Sequence, residues 1–262
     1  MITPRRRAAL LAASLLLTGC GGGAAATPEH RPGATAAGPP ERPGPPERPG
    51  APATPGTPAP VVSVEAAPRG IPGLGTKTLA AVPDDAAQVV VVTGRGRDSP
   101  LSTVVLYRRA EAGWQAGEPW PAHNALHGWS DHHRGGDLRS PIGVYGLTDA
   151  GGLLRDPGTR LSYDRGTGFT SPGTGFEGES LRGSFDYVIA IDYNREPGTS
   201  PLDWTRPLGA ERGGGIWLHV DHGGPTHGCV SIAEQHMKEL LLALDPALHP
   251  VVVMGDHASL AR

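Results

Sequence analysis

Three histidines and one cysteine lie close together in the segment from Gly215 to Ser231. A thiolate is a strong nucleophile, and a neutral imidazole can accept the proton that a thiol must lose. The segment is therefore the predicted site of chemistry, with Cys229 as the candidate nucleophile. The histidines that could act on it are His219, His222 and His227.

A strand is expected to position the first of these histidines. Apolar residues at 216, 218 and 220 alternate with Trp217 and His219, a period of two that buries one face and places His219 on the other. Gly223, Gly224 and Pro225 then predict a turn.

A helix is expected to position the thiol. Ser231 stands three residues before Glu234 and ahead of an apolar run, a capping-box pattern that predicts a helix from about Ile232 to Leu244. Cys229 would then lie just before the helix N-terminus. The positive end of the helix dipole would lower the pKa of the thiol.

The N-terminus has the features of an export signal. Arg5, Arg6 and Arg7 precede an apolar stretch, Ala8 to Leu17, that is too short to span a bilayer. The stretch ends in Leu17-Thr18-Gly19-Cys20, which resembles the lipobox of bacterial lipoproteins. Residues 1–20 are thus a predicted lipoprotein signal, and Cys20 would carry a lipid anchor on an extracytoplasmic protein. An ordinary signal peptide is the alternative.

Residues 21–81 are predicted to be a disordered tether. They are rich in Pro, Gly and Ala, and they contain the repeats Pro40-Glu-Arg-Pro43 and Pro46-Glu-Arg-Pro49. Such a composition buries too little apolar surface to fold. At about 3.1 Å per residue, the Pro-rich part from Gly21 to Pro68 would reach on the order of 150 Å. The tether would carry a domain from the membrane into the cell wall. The repeat could instead bind an aromatic groove on a partner.

Residues 82–262 are predicted to form one mainly β domain, a sandwich or open barrel with one helix after Cys229. Two long Gly-rich connections, Asp149 to Arg182 and Asn194 to Gly214, are expected to wall the site. The predicted strands are Gln88 to Thr93, Ser102 to Arg108, Ile142 to Leu147, Tyr187 to Tyr193, Gly215 to Val220 and Pro250 to Met254.

Charge and cysteine content narrow the function classes. A formal net charge of −3 provides no basic field for nucleic acid. With Cys20 lipidated, Cys229 has no disulfide partner. A lone thiol in an oxidising compartment indicates that the reactivity of the thiol is used. The alternative is a buried structural cysteine. A monomer is expected.

Two stretches of the chain resemble the L,D-transpeptidases with a YkuD-type catalytic domain. Thr226-His227-Gly228-Cys229-Val230, preceded by the strand histidine His219, is similar to the family signature. The upstream stretch Ser140-Pro-Ile-Gly-Val-Tyr145 is similar to a second family element. The resemblance covers about Gln88 to Asp256.

The resemblance implies a mainly β, YkuD-like fold and a cysteine acyltransferase that attacks the L,D-peptide bond of a peptidoglycan stem peptide. The acyl group would pass from Cys229 to an amine of a second stem, or to water in an L,D-carboxypeptidase. His219 would be the base. Thr226, His227 and Gly228 would orient the thiol and supply oxyanion donors. No cofactor is implied.

The sequence departs from the family pattern at two places. The segment between His219 and Thr226 is shorter than usual, which makes His222 an alternative base. Two residues after the cysteine, where the family often has Asn or Arg, this chain has Ser231.

Two further hypotheses belong to other classes. A domain with this fold could bind wall polymer without catalysis. A zinc hydrolase could use Cys229 and the many histidines, although their spacing is irregular and no HExxH pattern occurs; loop or surface positions are expected for His127, His132 and His133. Trp129 and Trp217 are expected to be core or loop-anchoring side chains rather than ligand platforms.

Overall fold

The computed structural model describes residues 70–262. The predicted signal peptide, Cys20 and the predicted tether up to residue 69 lie outside the described residues. Among the helices of the described part, none is both long enough and apolar enough to cross a membrane.

Residues 70–262 form thirteen strands and three α-helices. The helices are short: α1 (Thr76–Ala80), α2 (Glu234–Ala243) and α3 (His257–Leu260), with 3₁₀ turns at Ala210–Arg212 and Pro246–Leu248. The strands are β1 (Gln88–Gly94), β2 (Leu101–Ala110), β3 (Gly113–Ala116), β4 (Trp120–His123), β5 (Trp129–Ser130), β6 (Ser140–Pro141), β7 (Gly143–Gly146), β8 (Asp149–Gly152), β9 (Ser162–Arg165), β10 (Val188–Ala190), β11 (Trp217–Val220), β12 (Val230–Ile232) and β13 (Val251–Asp256).

Eleven of these strands form one mixed sheet in the order β7-β13-β1-β2-β4-β12-β11-β10-β8-β9, with β3 paired to β2. The sheet curls into a half-barrel, and β5 and β6 pair separately. The predicted mainly β class is therefore confirmed. All six predicted strands are present, with ends that differ by a few residues.

Both faces of the central strands are covered. In β1, Val90 and Val92 belong to the main core, whereas Val89 and Val91 pack on the other face. This explains why β1 is a continuous apolar run rather than an alternating one. Helix α2 covers the main core with the buried side chains of Met237, Leu240 and Leu241.

The folded unit begins before the predicted boundary at residue 82. Ile71 and Leu74 are buried in a core cluster that also contains Leu260. The N–H of Gly75 donates to the carbonyl of Leu260 at 2.8 Å, and α1 follows directly. Assigning residues 70–81 to the tether was therefore wrong, because two apolar side chains suffice to dock this short segment on the sheet.

The predicted connection from Asp149 to Arg182 also contains regular structure. Strands β8 and β9 lie within it and extend the sheet beyond β10. β9 is the edge strand and is partly exposed, whereas β8 is buried between β10 and β9, where Cβ atoms at Gly151 and Gly152 would collide with neighbouring atoms.

The capping-box prediction was wrong, although the helix itself is confirmed as α2. The N-cap of α2 is Ala233, which makes no side-chain cap, and Ser231 lies inside β12. Val230 and Ile232 are buried on either side of Ser231, and β12 pairs in parallel with β11. Pairing with the sheet therefore overrides the local helix-start signal.

Candidate active site

The parallel pair β11 and β12 positions the candidate catalytic residues. Leu218 pairs with Val230, and His219 pairs with Ser231. Paired residues of parallel strands point to the same face of a sheet, and successive residues alternate. Leu218 and Val230 therefore face the main core, as their burial shows. His219 faces the opposite side.

Cys229 directly precedes β12, so its side chain lies on the same face as His219. It packs with Trp217 in a small apolar cluster on that face. The Cα atoms of Cys229 and His219 are one strand apart across the sheet and two residues apart along it, which together correspond to roughly 8 Å. A thiol and an imidazole can bridge such a separation.

The thiol is held by the start of β11 rather than by a helix. Its sulfur accepts the N–H of Trp217 at 3.4 Å and donates to the carbonyl of Gly215 at 3.6 Å. Burial raises the pKa of Cys229 to about 11, and the Trp217 N–H opposes this only in part. The expected lowering of the thiol pKa by a helix N-terminus was therefore wrong, because β12 intervenes before α2.

The backbone of Cys229 is fixed by two hydroxyl groups. Thr226 Oγ1 donates to the Cys229 carbonyl at 2.7 Å, and Ser140 Oγ donates to the same oxygen at 3.3 Å. Ser140 also accepts the N–H of Ala125 at 3.1 Å. The two sequence stretches that carry the family resemblance thus meet at the cysteine.

His219 is held in one tautomer by its neighbour. Its Nδ1 lies 2.9 Å from the Val220 carbonyl, so in the neutral ring Nδ1 carries the proton and Nε2 is the acceptor. The side chain is buried, and burial lowers the pKa of His219 to about 4, against the opposing effect of the Val220 carbonyl. The ring of Phe185 packs perpendicular to the imidazole, with 5.3 Å between centroids.

His222 also belongs to the site. Its ring stacks on His219 with centroids 5.8 Å apart and an interplanar angle of 11°. Its Nδ1 lies 3.2 Å from Oε1 of Glu179, which comes from the hairpin around residues 174–180. A Cβ at Gly224 would collide with this carboxylate, so the glycine allows the hairpin to approach the turn.

The other two residues of the signature differ in their surroundings. His227 is exposed, and its ring packs on Phe176 at 4.6 Å between centroids. Gly228 is buried, and a Cβ there would lie 2.9 Å from Cδ1 of Ile216. Close approach of the chain to β11 therefore favours glycine before the cysteine.

A cleft of about 380 Å³ opens over this face of the sheet, and Cys229, His219 and His222 all line it. The walls come from residues 168–185 and 201–215, within or close to the two predicted Gly-rich connections. Trp217 lines the cleft floor while it packs in the small cluster, whereas Trp129 is fully buried in the main core.

A polar network beside the cleft was missed by the sequence reasoning. Oδ1 of Asp221 accepts Ser231 Oγ at 2.7 Å and pairs with Nδ1 of His123 at 2.8 Å. Burial acts to raise the pKa of Asp221, but the hydrogen bonds from His123 and Ser231 lower it to about 2. The same hydrogen bond raises the pKa of His123. The sequence signal that could have indicated this network was the acidic residue Asp221, directly after the alternating pattern of β11.

Of the histidines considered for zinc, His219 and His222 are neighbours, whereas those of the upstream stretch have other surroundings. His127 and His132 are exposed, whereas His133 is buried beside Asp137, with its Nδ1 2.9 Å from Oδ1, and packs edge-on against Tyr193. The expected loop position of His133 is confirmed, but it is not on the surface. Within residues 70–262, no three His, Cys, Asp or Glu side chains are grouped as metal ligands would be.

No protein-family model and no curated protein matches this sequence. Among solved structures, the chain is similar to that of Bdellovibrio bacteriovorus Bd1075, with 15% sequence identity and a TM-score of 0.33. The match covers 69% of this chain and 50% of that chain, so this chain spans about half the length of the structure it matches. A likeness at this level supports no argument about function.

Proposed function

We propose that this chain is a cysteine acyltransferase of the L,D-transpeptidase type, built on a YkuD-like fold and acting on peptidoglycan stem peptides. One observation carries the proposal. Cys229 and His219 lie on the same face of two adjacent parallel strands, at the floor of a cleft. A nucleophile and a base on paired strands are held in register by the backbone itself.

Both members of the resting pair are uncharged, so attack on a carbonyl requires a proton transfer from the thiol. A thiol with a pKa of about 11 and an imidazole with a pKa of about 4 are both neutral at pH 7. Nε2 of His219 is the proposed acceptor, because Nδ1 is bound to the Val220 carbonyl. The gap between the two pKa values opposes this transfer at rest, so the proton has to move as the sulfur–carbon bond forms.

The first half of the reaction forms the acyl-enzyme. The sulfur–carbon bond forms at the peptide carbonyl while the thiol proton passes to Nε2 of His219. The peptide carbon–nitrogen bond then breaks, and the same proton goes to the leaving amine. The N–H of Thr226 already donates to the carbonyl of Asn124 at 3.0 Å, so Thr226 orients the cysteine through its hydroxyl and supplies no oxyanion donor. The proposed donors to the oxyanion are the backbone N–H groups of His227, Gly228 and Cys229.

The second half transfers the acyl group. An amine of a second stem attacks the thioester carbonyl, a new carbon–nitrogen bond forms, and the carbon–sulfur bond breaks. The amine proton returns through His219 to the sulfur. Water in place of the amine would make the protein an L,D-carboxypeptidase, and the product formed from the acyl-enzyme separates the two.

Mass spectrometry of the soluble domain with muropeptides tests the proposal. A mass increase on Cys229, followed by its transfer to an added acceptor, is the expected result. Cys229→Ala should remain folded by circular dichroism and show no adduct, because a small apolar side chain removes the nucleophile and little packing. Turnover by the alanine variant, or no adduct on the parent protein with any stem, would refute the proposed function.

Localisation is part of the proposal. Cys20 would carry the acyl chains that hold the protein on the outer face of the membrane, with the tether reaching the wall. Cys20→Ser should release the protein from membranes or block its processing. A variant that is processed and still membrane-bound would mean that another anchor exists.

A further inference from the structure

The cleft contains one arginine whose positive charge has no assigned role. Among the residues that line the cleft, Arg206 is the only arginine or lysine. Its side chain is half-buried, and within residues 70–262 it makes no salt bridge to a carboxylate. The negative charge of Asp203 acts on the guanidinium, but the two groups make no direct ion pair. The cation therefore loses part of its hydration without a carboxylate bound to it.

The guanidinium is held between an aromatic ring and a glycine-rich backbone. Its Cζ lies 5.0 Å from the ring centroid of Trp204. On the other side, a Cβ at Gly214 would collide with its Nε, and one at Gly215 would lie 3.6 Å from Nη2. The glycines before β11 therefore leave the space that the guanidinium occupies.

The hydrogen bonds of Arg206 leave half of its fork available. Nη1 donates to the carbonyls of Asp203 at 3.1 Å and Thr205 at 2.8 Å. In the described part of the chain, Nε and Nη2 donate to no protein acceptor. Burial also lowers the pKa of Arg206. A fork with one edge fixed and the other open is suited to a planar anion that accepts two parallel hydrogen bonds.

The open edge and the nucleophile are both neighbours of Gly215. Gly215 packs next to Nη2, and the carbonyl of Gly215 accepts the thiol of Cys229 at 3.6 Å. The Gly214 and Gly215 backbone thus separates the guanidinium from the sulfur. A substrate whose anionic group binds there would have its reacting carbonyl held beside the sulfur.

We propose that Arg206, supported by Trp204 and Gly214, is a carboxylate-binding subsite that positions the stem peptide next to Cys229. This inference rests on the proposed function, because stem peptides are substrates that carry several carboxylates. It adds a specificity-determining residue that the catalytic pair does not include.

Binding to the non-reacting Cys229→Ala protein tests the inference. The probes are stem tetrapeptides in which one carboxylate at a time is converted to its amide, with the all-carboxylate stem as reference, measured by calorimetry. One of these amidated stems should bind about 10- to 100-fold more weakly than the reference stem, as expected for a lost charge-assisted pair. Arg206→Gln should weaken binding of the reference stem by a similar factor. The same substitution should not further weaken binding of that amidated stem.

Two variants control for folding and charge. Arg206→Lys keeps the charge without the planar fork and should bind with intermediate affinity. Arg212→Gln removes an equal charge from an exposed position on the same connection and should bind like the parent. Circular dichroism checks that each variant is folded.

The outcomes separate the subsite from the proposed function. If Arg206→Gln weakens all stems equally, or none, the subsite is refuted, while acylation of Cys229 in the parent would still support the acyltransferase. If only Arg212→Gln weakens binding, the charge effect is general and the subsite is again refuted. A parent protein that neither binds nor is acylated by any stem would refute both.

Discussion

At the scale of single residues, the two stacked histidines present a choice of base. Both rings are engaged at Nδ1, His219 by the Val220 carbonyl and His222 by Glu179, and each could offer Nε2. They differ in position, because His219 shares a sheet face with Cys229 whereas His222 lies on the turn. Strand positions hold a side chain more precisely than turns, and a misplacement of about 1 Å can cost on the order of 100-fold in rate. This favours His219.

We therefore predict that His219→Gln slows acylation of Cys229 by about 10²- to 10⁴-fold, the typical effect of losing a general base. His222→Gln should cost less than about tenfold. The measurement is the rate of covalent labelling at neutral pH, with circular dichroism for folding. His132→Gln, at an exposed position, is the control. The reverse order would move the base from the strand to the turn.

The buried imidazole also makes stability depend on pH. The folded-state pKa of His219 is about 4, below the roughly 6.5 of a histidine in an unfolded chain. Between these values the unfolded state binds more protons, so stability rises with pH across this window. Below pH 6.5 the protein should progressively lose up to about 3 kcal/mol as pH approaches 4.

Urea unfolding between pH 4 and 7 measures this effect, and His219→Gln should make the profile less steep over that range. Burial also lowers the pKa of His133, so part of the slope should remain in the variant. Asp221 does not confuse the test, because its pKa is lowered to about 2 and its contribution is lost mainly below about pH 4. Equal slopes for the parent and His219→Gln would contradict the buried neutral state.

At the scale of elements, β12 ties the site together. It pairs with β11 on one side and with β4 on the other. Ser231 and His123 are direct partners across β12 and β4, and both bind the carboxylate of Asp221 at the end of β11. Side chains from two adjacent strands thus share one acceptor, which directly follows a third strand beside the cleft.

We predict that Ser231→Ala lowers the free energy of unfolding by about 1–2 kcal/mol, because the partly buried Asp221 loses one of its donors. Urea denaturation gives the difference. Ser162→Ala is the matched control, since Ser162 is exposed on the edge strand β9. If the two variants were equally stable, the Asp221 network would contribute nothing measurable.

At the scale of the whole molecule, the folded unit includes the segment before β1. Ile71 and Leu74 are buried against the sheet, with exposed fractions of 2% and 9%. Burying such side chains contributes about 1.5–3 kcal/mol each. The start of the domain is therefore part of its core rather than the end of a spacer.

A protein comprising residues 82–262 should consequently be less stable than one comprising residues 70–262, by about 3–5 kcal/mol. Urea denaturation of the two proteins measures the difference. Ile71→Ala in the longer protein should reproduce part of the loss. Equal stability of the two lengths would show that the segment docks without contributing to the fold.

Much of this organisation can be predicted from local patterns in the sequence. The apolar runs of β1 and β13, the alternation in β11 and the 3.6-residue period of α2 all predict their elements correctly. The thiol and its neighbouring histidines are visible as types and spacings. These features are local because strand and helix periods are set by backbone geometry within a few residues.

Other features depend on contacts between distant residues. Ser231 has the local signature of a helix cap, yet pairing with β11 and β4 makes it part of a strand. Asp221 meets His123, and Arg206 comes to lie beside the glycines before β11, through contacts that no local pattern specifies.

The sequence alone thus determined which reactive groups are present and most of the elements that carry them. Only the tertiary structure decided their electrostatic environment. A pKa depends on how much water and which charges surround a group, and these are set by packing between distant segments. For this reason the sequence pattern predicted an activated thiol beside a helix, whereas the fold buries a neutral thiol beside a neutral imidazole.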